Sequence, residues 1–205
     1  MNLESRNCRS KKPISNCYSK KNNGENNILA TLVTEYLTEY EDCYKNEDRW
    51  WGDKNITWTE AIERAWRSRF ENGKMHGHQC RVAGKLHLGM EACLNRNYQV
   101  IDFDSFHAVY SWVESVTRPI NGLGATTTYD VARRLGAWLG MQPEMVYLHA
   151  GAAEGAKNLG IEGEMVSLND FPDEIQNLRA THAETFLCIY KHFLQRSPTT
   201  KIDSK

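Results

Sequence analysis

Three stretches of this chain carry residue types that can do chemistry. The first is Asn121-Gly122-Leu123-Gly124-Ala125-Thr126-Thr127. Two glycines flanking one apolar residue permit a tight reversal and let backbone come close to a ligand. The helix that starts there opens with N–H groups lacking an intrahelical partner, and its dipole favours an anion, for which phosphate is the natural guest. The second stretch is Lys74 to Arg81, where His76, His78 and Cys80 offer three transition-metal donors within five residues. Alternating neighbours surround a small ion poorly unless the chain is extended, and no second Cys/His cluster stands at zinc-site spacing. The expectation is therefore no metal and no cofactor. The stretch reads instead as a polar loop, either one whose Gln79 and Arg81 hydrogen-bond a phosphate or a base, or a structural loop bonded to itself. The third is His149, after the apolar run Val146-Tyr147-Leu148. It reads either as a general base towards water or as a helix-start histidine bonded to backbone.

Helices must position all three. Leu29, Leu32, Val33, Tyr36, Leu37 and Tyr40 follow helical spacing, and Glu47 to Asn55 reads as a polar connection in which Trp50 and Trp51 close one end of a core. Thr57 with Glu60 has the form of a capping box opening a helix through Phe70, which Asn72-Gly73 ends. A helix runs from Val82 to Leu94. Asp102 or Asp104 caps the next, through Val116, and Pro119 stops it. Ile120 and Leu123 pin the turn, and Thr126 to Leu139 forms the helix beyond it. Arg133 and Arg134 fall a turn too late to share the phosphate of that turn. Gly140 and Pro143 end this helix, a small-residue helix follows His149, and a second capping box, Thr181 with Glu184, starts the last. The fold class is all-α: a basic disordered tail over 1–27, one helical domain over 28–196 and a frayed end over 197–205.

Composition sets limits on function. The chain has 205 residues, 40% of them hydrophobic, with six tryptophans, so a sizeable core is within reach. The net charge of −1 argues against a body broadly attracted to nucleic acid. Residues 1–21 hold six basic side chains against Glu4, giving +5 and leaving −6 for the rest. Affinity of the body for nucleic acid must then come from a local patch, with the tail adding a salt-sensitive, sequence-blind contribution. Six scattered cysteines without a Cys-x-x-Cys pair read as reduced thiols, and no apolar run is long enough to cross a bilayer. The expected location is cytoplasmic.

The stretch from Val116 to Asp130 resembles the helix-hairpin-helix element, which in known families grips the DNA backbone without reading bases. The order of parts from Asp104 to Gly160 is similar to the base-excision DNA glycosylases that carry this element. Their catalytic aspartate falls at the position of His149, and the lysine that some members use as a Schiff-base nucleophile falls on Thr126. The cysteine cluster that holds iron and sulfur in part of that family is absent. The motifs His78-Gln79-x-Arg81, Val146 to Gly151 and Phe186 to Lys191 also resemble a set of bacterial proteins with a helix-hairpin-helix and no assigned activity.

The resemblance implies a DNA-binding protein that holds duplex or structured DNA through residues 121–127, with Gln79 and Arg81 as further contacts. Two alternatives stand beside it. One is a divergent glycosylase or other base-acting enzyme using His149 on the wall of a cleft. The other is a protein-interaction module in which Gly122-Leu123-Gly124 is only a corner.

Overall fold

The computed structural model describes residues 25–96 and 103–194. The expected tails, but for residues 25–27, and the candidate cap Asp102 lie outside the described residues. The described chain is mostly helical, with eight α-helices and one two-stranded sheet, in agreement with the expected all-α class. It divides into two compact units, 40–144 on the one hand and 25–39 with 145–194 on the other.

Helix α1 spans Glu25–Trp51. It absorbs the polar connection expected from Glu47, because no glycine or proline interrupts the chain before Gly52. There the helix ends against backbone: a Cβ on Gly52 would lie 2.8 Å from the Asp48 carbonyl oxygen and 3.1 Å from that of Ala137. Trp51 is buried and Trp50 is half-buried beneath the Arg64 guanidinium, so both belong to the packing.

In the first unit, α2 (Trp58–Arg67) opens with the expected capping box. The Thr57 backbone N–H donates to Glu60 Oε2 at 2.7 Å, and the Glu60 N–H donates to Thr57 Oγ1 at 3.3 Å. This helix ends earlier than expected, at Ser68, which adopts the left-handed conformation with φ 53°. A reversal through Gly73 brings Arg69 beside Met75. Gly77–Lys85, expected as loop and helix start, is a 3₁₀ segment of nine residues, long for that conformation. α3 (Leu86–Leu94) packs on α2, and Gly89 makes the approach possible, since a Cβ there would stand 2.2 Å from the Trp66 ring. α4 (Phe106–Thr117) is capped by Ser105, whose hydroxyl accepts from the Ala108 N–H, rather than by Asp104. α5 (Ala125–Leu139) packs along α4 and is buried at every residue from Thr127 to Gly136.

In the second unit, β1 (Met145–Tyr147) and β2 (Met165–Ser167) pair antiparallel, Val146 opposite Val166. Between them lies α6 (Ala150–Asn158). A short α7 (Asp173–Gln176) leads to α8 (Ala180–Tyr190). The expected box of Thr181 and Glu184 does not form. α8 begins two residues earlier, behind Arg179 as its cap, and both residues are buried inside the helix. The small residues of α6 serve close packing on α8: a Cβ on Gly155 would lie 2.3 Å from the Leu187 carbonyl oxygen, and one on Gly151 2.6 Å from Cys188 Sγ.

Candidate functional site

The turn between α4 and α5 is built from successive short reversals. The Ile120 N–H donates to the Thr117 carbonyl at 2.9 Å and the Leu123 N–H to that of Ile120 at 3.0 Å. Gly122 takes φ +95°, a conformation that excludes most side chains, whereas Gly124 sits at φ −98° with open space where a Cβ would stand. Leu123 is buried and pins the turn as expected, and Thr117 Oγ1 and Thr128 Oγ1 join the two helices at 2.6 Å. Asn121, Gly122, Gly124 and Ala125 are exposed, Thr126 is half-buried and Thr127 is buried. The N–H groups of Thr127 and Thr128 both turn inward to the Gly124 carbonyl. The first turn of α5 holds no acidic residue. Lys85 Nζ reaches the Asn121 carbonyl oxygen at 2.5 Å and places a cation on the turn. Sequence reasoning missed Lys85, which lies 36 positions away and meets the turn only through the tertiary fold.

Arg81 is exposed, as a contact residue must be. Gln79 is not. It is fully buried, and both ends of its amide are engaged: Oε1 accepts from Arg134 Nη2 at 3.0 Å, and Nε2 donates to Asp130 Oδ2 at 2.8 Å. Its assignment to a nucleic-acid contact is therefore corrected. The geometry fixes the amide orientation, because a guanidinium only donates and so must face the oxygen. Arg134 also donates to the Ala65 carbonyl and to Ser68 Oγ, at 3.0 and 2.7 Å, and stacks on Trp51. This buried network carries outward to histidine: His78 Nδ1 lies 3.3 Å from Asp130 Oδ2. His76 joins it, its ring edge-on to His78 and packed on Phe70. One donor atom each from His76, His78 and Asp130 lies within 4.8 Å of the others. Cys80, the third member of the sequence motif, is exposed, and its thiol faces the His76 carbonyl.

Neighbouring Arg133 does not face the turn either. Burial alone would lower its pKa, but the carboxylates of Glu47 and Asp48 more than offset this and raise it. Its guanidinium lies over the Tyr44 ring.

His149 belongs to the second unit and caps α6 through its backbone, its carbonyl accepting from the Ala152 and Ala153 N–H groups. Its ring is buried, with Nε2 3.7 Å from Glu184 Oε1, and Glu184 Oε2 accepts from the Thr185 hydroxyl. The next residue, Ala150, has φ 42°, a strained value for alanine. The His149 side chain is only 7% exposed. The helix-start position is as expected, but the side chain makes no capping hydrogen bond there and faces Glu184 instead.

Among the described residues, Cys80 and Cys93 are free thiols. Burial pushes the Cys93 thiol up to about 12, which removes it as nucleophile or metal ligand. No described helix is long and apolar enough to cross a membrane. No family model, curated protein or solved structure matches the chain.

Proposed function

We propose that this protein holds duplex or structured DNA by its phosphate backbone at the turn between α4 and α5. The observation that carries the reading is the exposed start of α5. There Gly124 and Ala125 open a 15-residue helix whose first turn holds no carboxylate. A phosphate oxygen at that end meets N–H groups without helical partners and the positive pole of the dipole. Lys85 on the turn and exposed Arg118 just before it supply cations. Because these contacts go to phosphate, the binding is largely independent of base sequence. A cytoplasmic place of work belongs to the same proposal and fits the free thiols of Cys80 and Cys93.

Gly124 provides the test. Its backbone is open to any residue and no atom lies within 4 Å of a Cβ there, so Gly124→Val covers the helix start without distorting the turn. Binding of the full chain to a labelled duplex across a salt series is expected to weaken strongly in this variant, with helicity retained. Lys85→Ala is expected to weaken binding moderately and to reduce the salt slope by about one. A folded Gly124→Val protein with unchanged affinity at every salt concentration overturns the proposal.

A further inference from the structure

We infer that His76, His78 and Asp130 form a binding site for one divalent first-row transition ion, with zinc the best match, and that the site keeps a coordination position open to solvent. The inference is independent of DNA binding and goes against the sequence expectation of no metal.

The donor types select the ion. Two imidazoles and one carboxylate suit zinc, cobalt(II) or iron(II) rather than calcium or magnesium, which favour oxygen alone. The spacing comes next. With metal–ligand bonds of about 2.0–2.2 Å, ligand atoms in a tetrahedral shell stand about 3.3–3.6 Å apart. His78 Nδ1 and Asp130 Oδ2 already stand at 3.3 Å, and the three donors all fall within 4.8 Å, a gap that small side-chain rotations close.

The objection that alternating histidines cannot surround an ion is met by the fold. His76 is extended, with φ −65° and ψ 133°, while His78 lies inside the 3₁₀ segment. The two rings therefore stand edge to face at 5.6 Å rather than pointing to opposite sides of a strand. The third donor arrives from α5, 52 positions further along the chain.

The surroundings hold these donors as a metal site requires. Gln79 Nε2 donates to Asp130, and Gln79 is itself oriented by Arg134, so the carboxylate is fixed as an acceptor by partners that are themselves fixed. Phe70 packs on the His76 ring at 5.1 Å. His76 and Asp130 are buried, but the His78 side chain is 31% exposed, so one side of the cluster faces solvent. Three protein ligands with an accessible side are the arrangement of a site that holds water or an exogenous ligand, rather than a closed structural site.

The test uses the full chain, purified without a histidine tag and stripped by a chelator. Titration with Zn²⁺ alone is followed by calorimetry, and Co²⁺ alone by its visible absorption. One ion per chain is expected, with the intense Co²⁺ bands of a low-coordinate site. Affinity is expected to fall at least tenfold in His78→Ala and in Asp130→Asn. The first removes a partly exposed ring, and the second keeps an oxygen for Gln79, so both are suited to preserve the fold. His87→Ala and His107→Ala, at exposed positions, are expected to bind as the wild type does. Absence of binding by the wild-type chain overturns the inference, as does binding that both site variants leave unchanged.

Discussion

Among the described residues, two histidine–carboxylate pairs have acids that are almost completely buried. Asp130 and Glu184 have side chains 3% and 2% exposed, and their histidines stand 3.3 and 3.7 Å away. The pairs differ in what surrounds them. His78 is partly open and shares its acid with the nearby His76 and with Gln79. His149 is sealed, and its acid accepts instead from Thr185. The difference follows from the elements that carry each histidine. A 3₁₀ segment at the surface of its unit leaves the His78 ring partly open, whereas the backbone cap of a helix pressed hard on α8 hides the ring within the packing. The same two residue types thus make a convergent donor set in one unit and a structural contact in the other.

The largest effect that tests this contrast is expected from Arg134→Met. It leaves Gln79 Oε1 and Ser68 Oγ without their donor and takes one of two donors from the Ala65 carbonyl, and the loss of a buried, hydrogen-bonded cation costs about 3–5 kcal/mol. Thermal or denaturant unfolding measures it. A loss below about 1 kcal/mol would mean that the network does not hold the His78 side in place.

Metal separates the two pairs next. At a hundredfold excess over its dissociation constant, Zn²⁺ stabilises a binding-competent chain by about 2.7 kcal/mol. The increase in melting temperature is expected in the wild type and equally in Glu184→Gln, and it is expected to fall to about half or less in Asp130→Asn. Equal responses of the two variants would erase the distinction drawn between the pairs.

Close packing around the sealed pair supplies a smaller effect. Gly155→Ala would drive a Cβ to 2.3 Å from the Leu187 carbonyl oxygen and is expected to cost about 1–3 kcal/mol. Gly124→Ala, at a position with open space, is expected to stay within about 0.5 kcal/mol of wild type. Comparison of the two unfolding midpoints shows whether each glycine serves packing or leaves a surface bare. If Gly155→Ala is harmless, α6 is less tightly seated than its geometry shows.

Local signals made part of this structure legible in the sequence. The Thr57–Glu60 box, the turn with buried Leu123, and the helices on either side of it are each specified by residues within a few positions of one another. Where the reading failed, a distant contact decided the outcome. Thr181 and Glu184 have the spacing of a cap, but both lie buried inside α8, with Glu184 beside His149. Gln79 looks like a surface contact until Asp130 and Arg134 enclose it. One clue was present: Asp130 and Arg134 stand four residues apart on a helix otherwise rich in apolar residues, so both occupy one buried face. An acid and a base placed so are a sign of a buried polar network, though not of its partners.

The smallest effect bears on the same lesson. Read along the chain, the third donor after His76 and His78 is Cys80; read in space, it is Asp130. Cys80 is exposed, and its sulfur lies 3.6 Å from the His76 carbonyl oxygen as a weak donor, a contact that serine reproduces with little change of shape. Cys80→Ser is therefore expected to leave both Zn²⁺ affinity and thermal stability unchanged, whereas Asp130→Asn is expected to weaken the metal response. Cobalt gives the sharper readout, because a thiolate ligand adds an intense charge-transfer band that nitrogen and oxygen donors lack. A wild-type Co²⁺ spectrum with that band, lost in Cys80→Ser, would transfer the third ligand from α5 back to the local motif. The 3₁₀ segment would then have to rotate to bring its sulfur inward, and Asp130 would be left as a hydrogen-bond acceptor for Gln79 and His78.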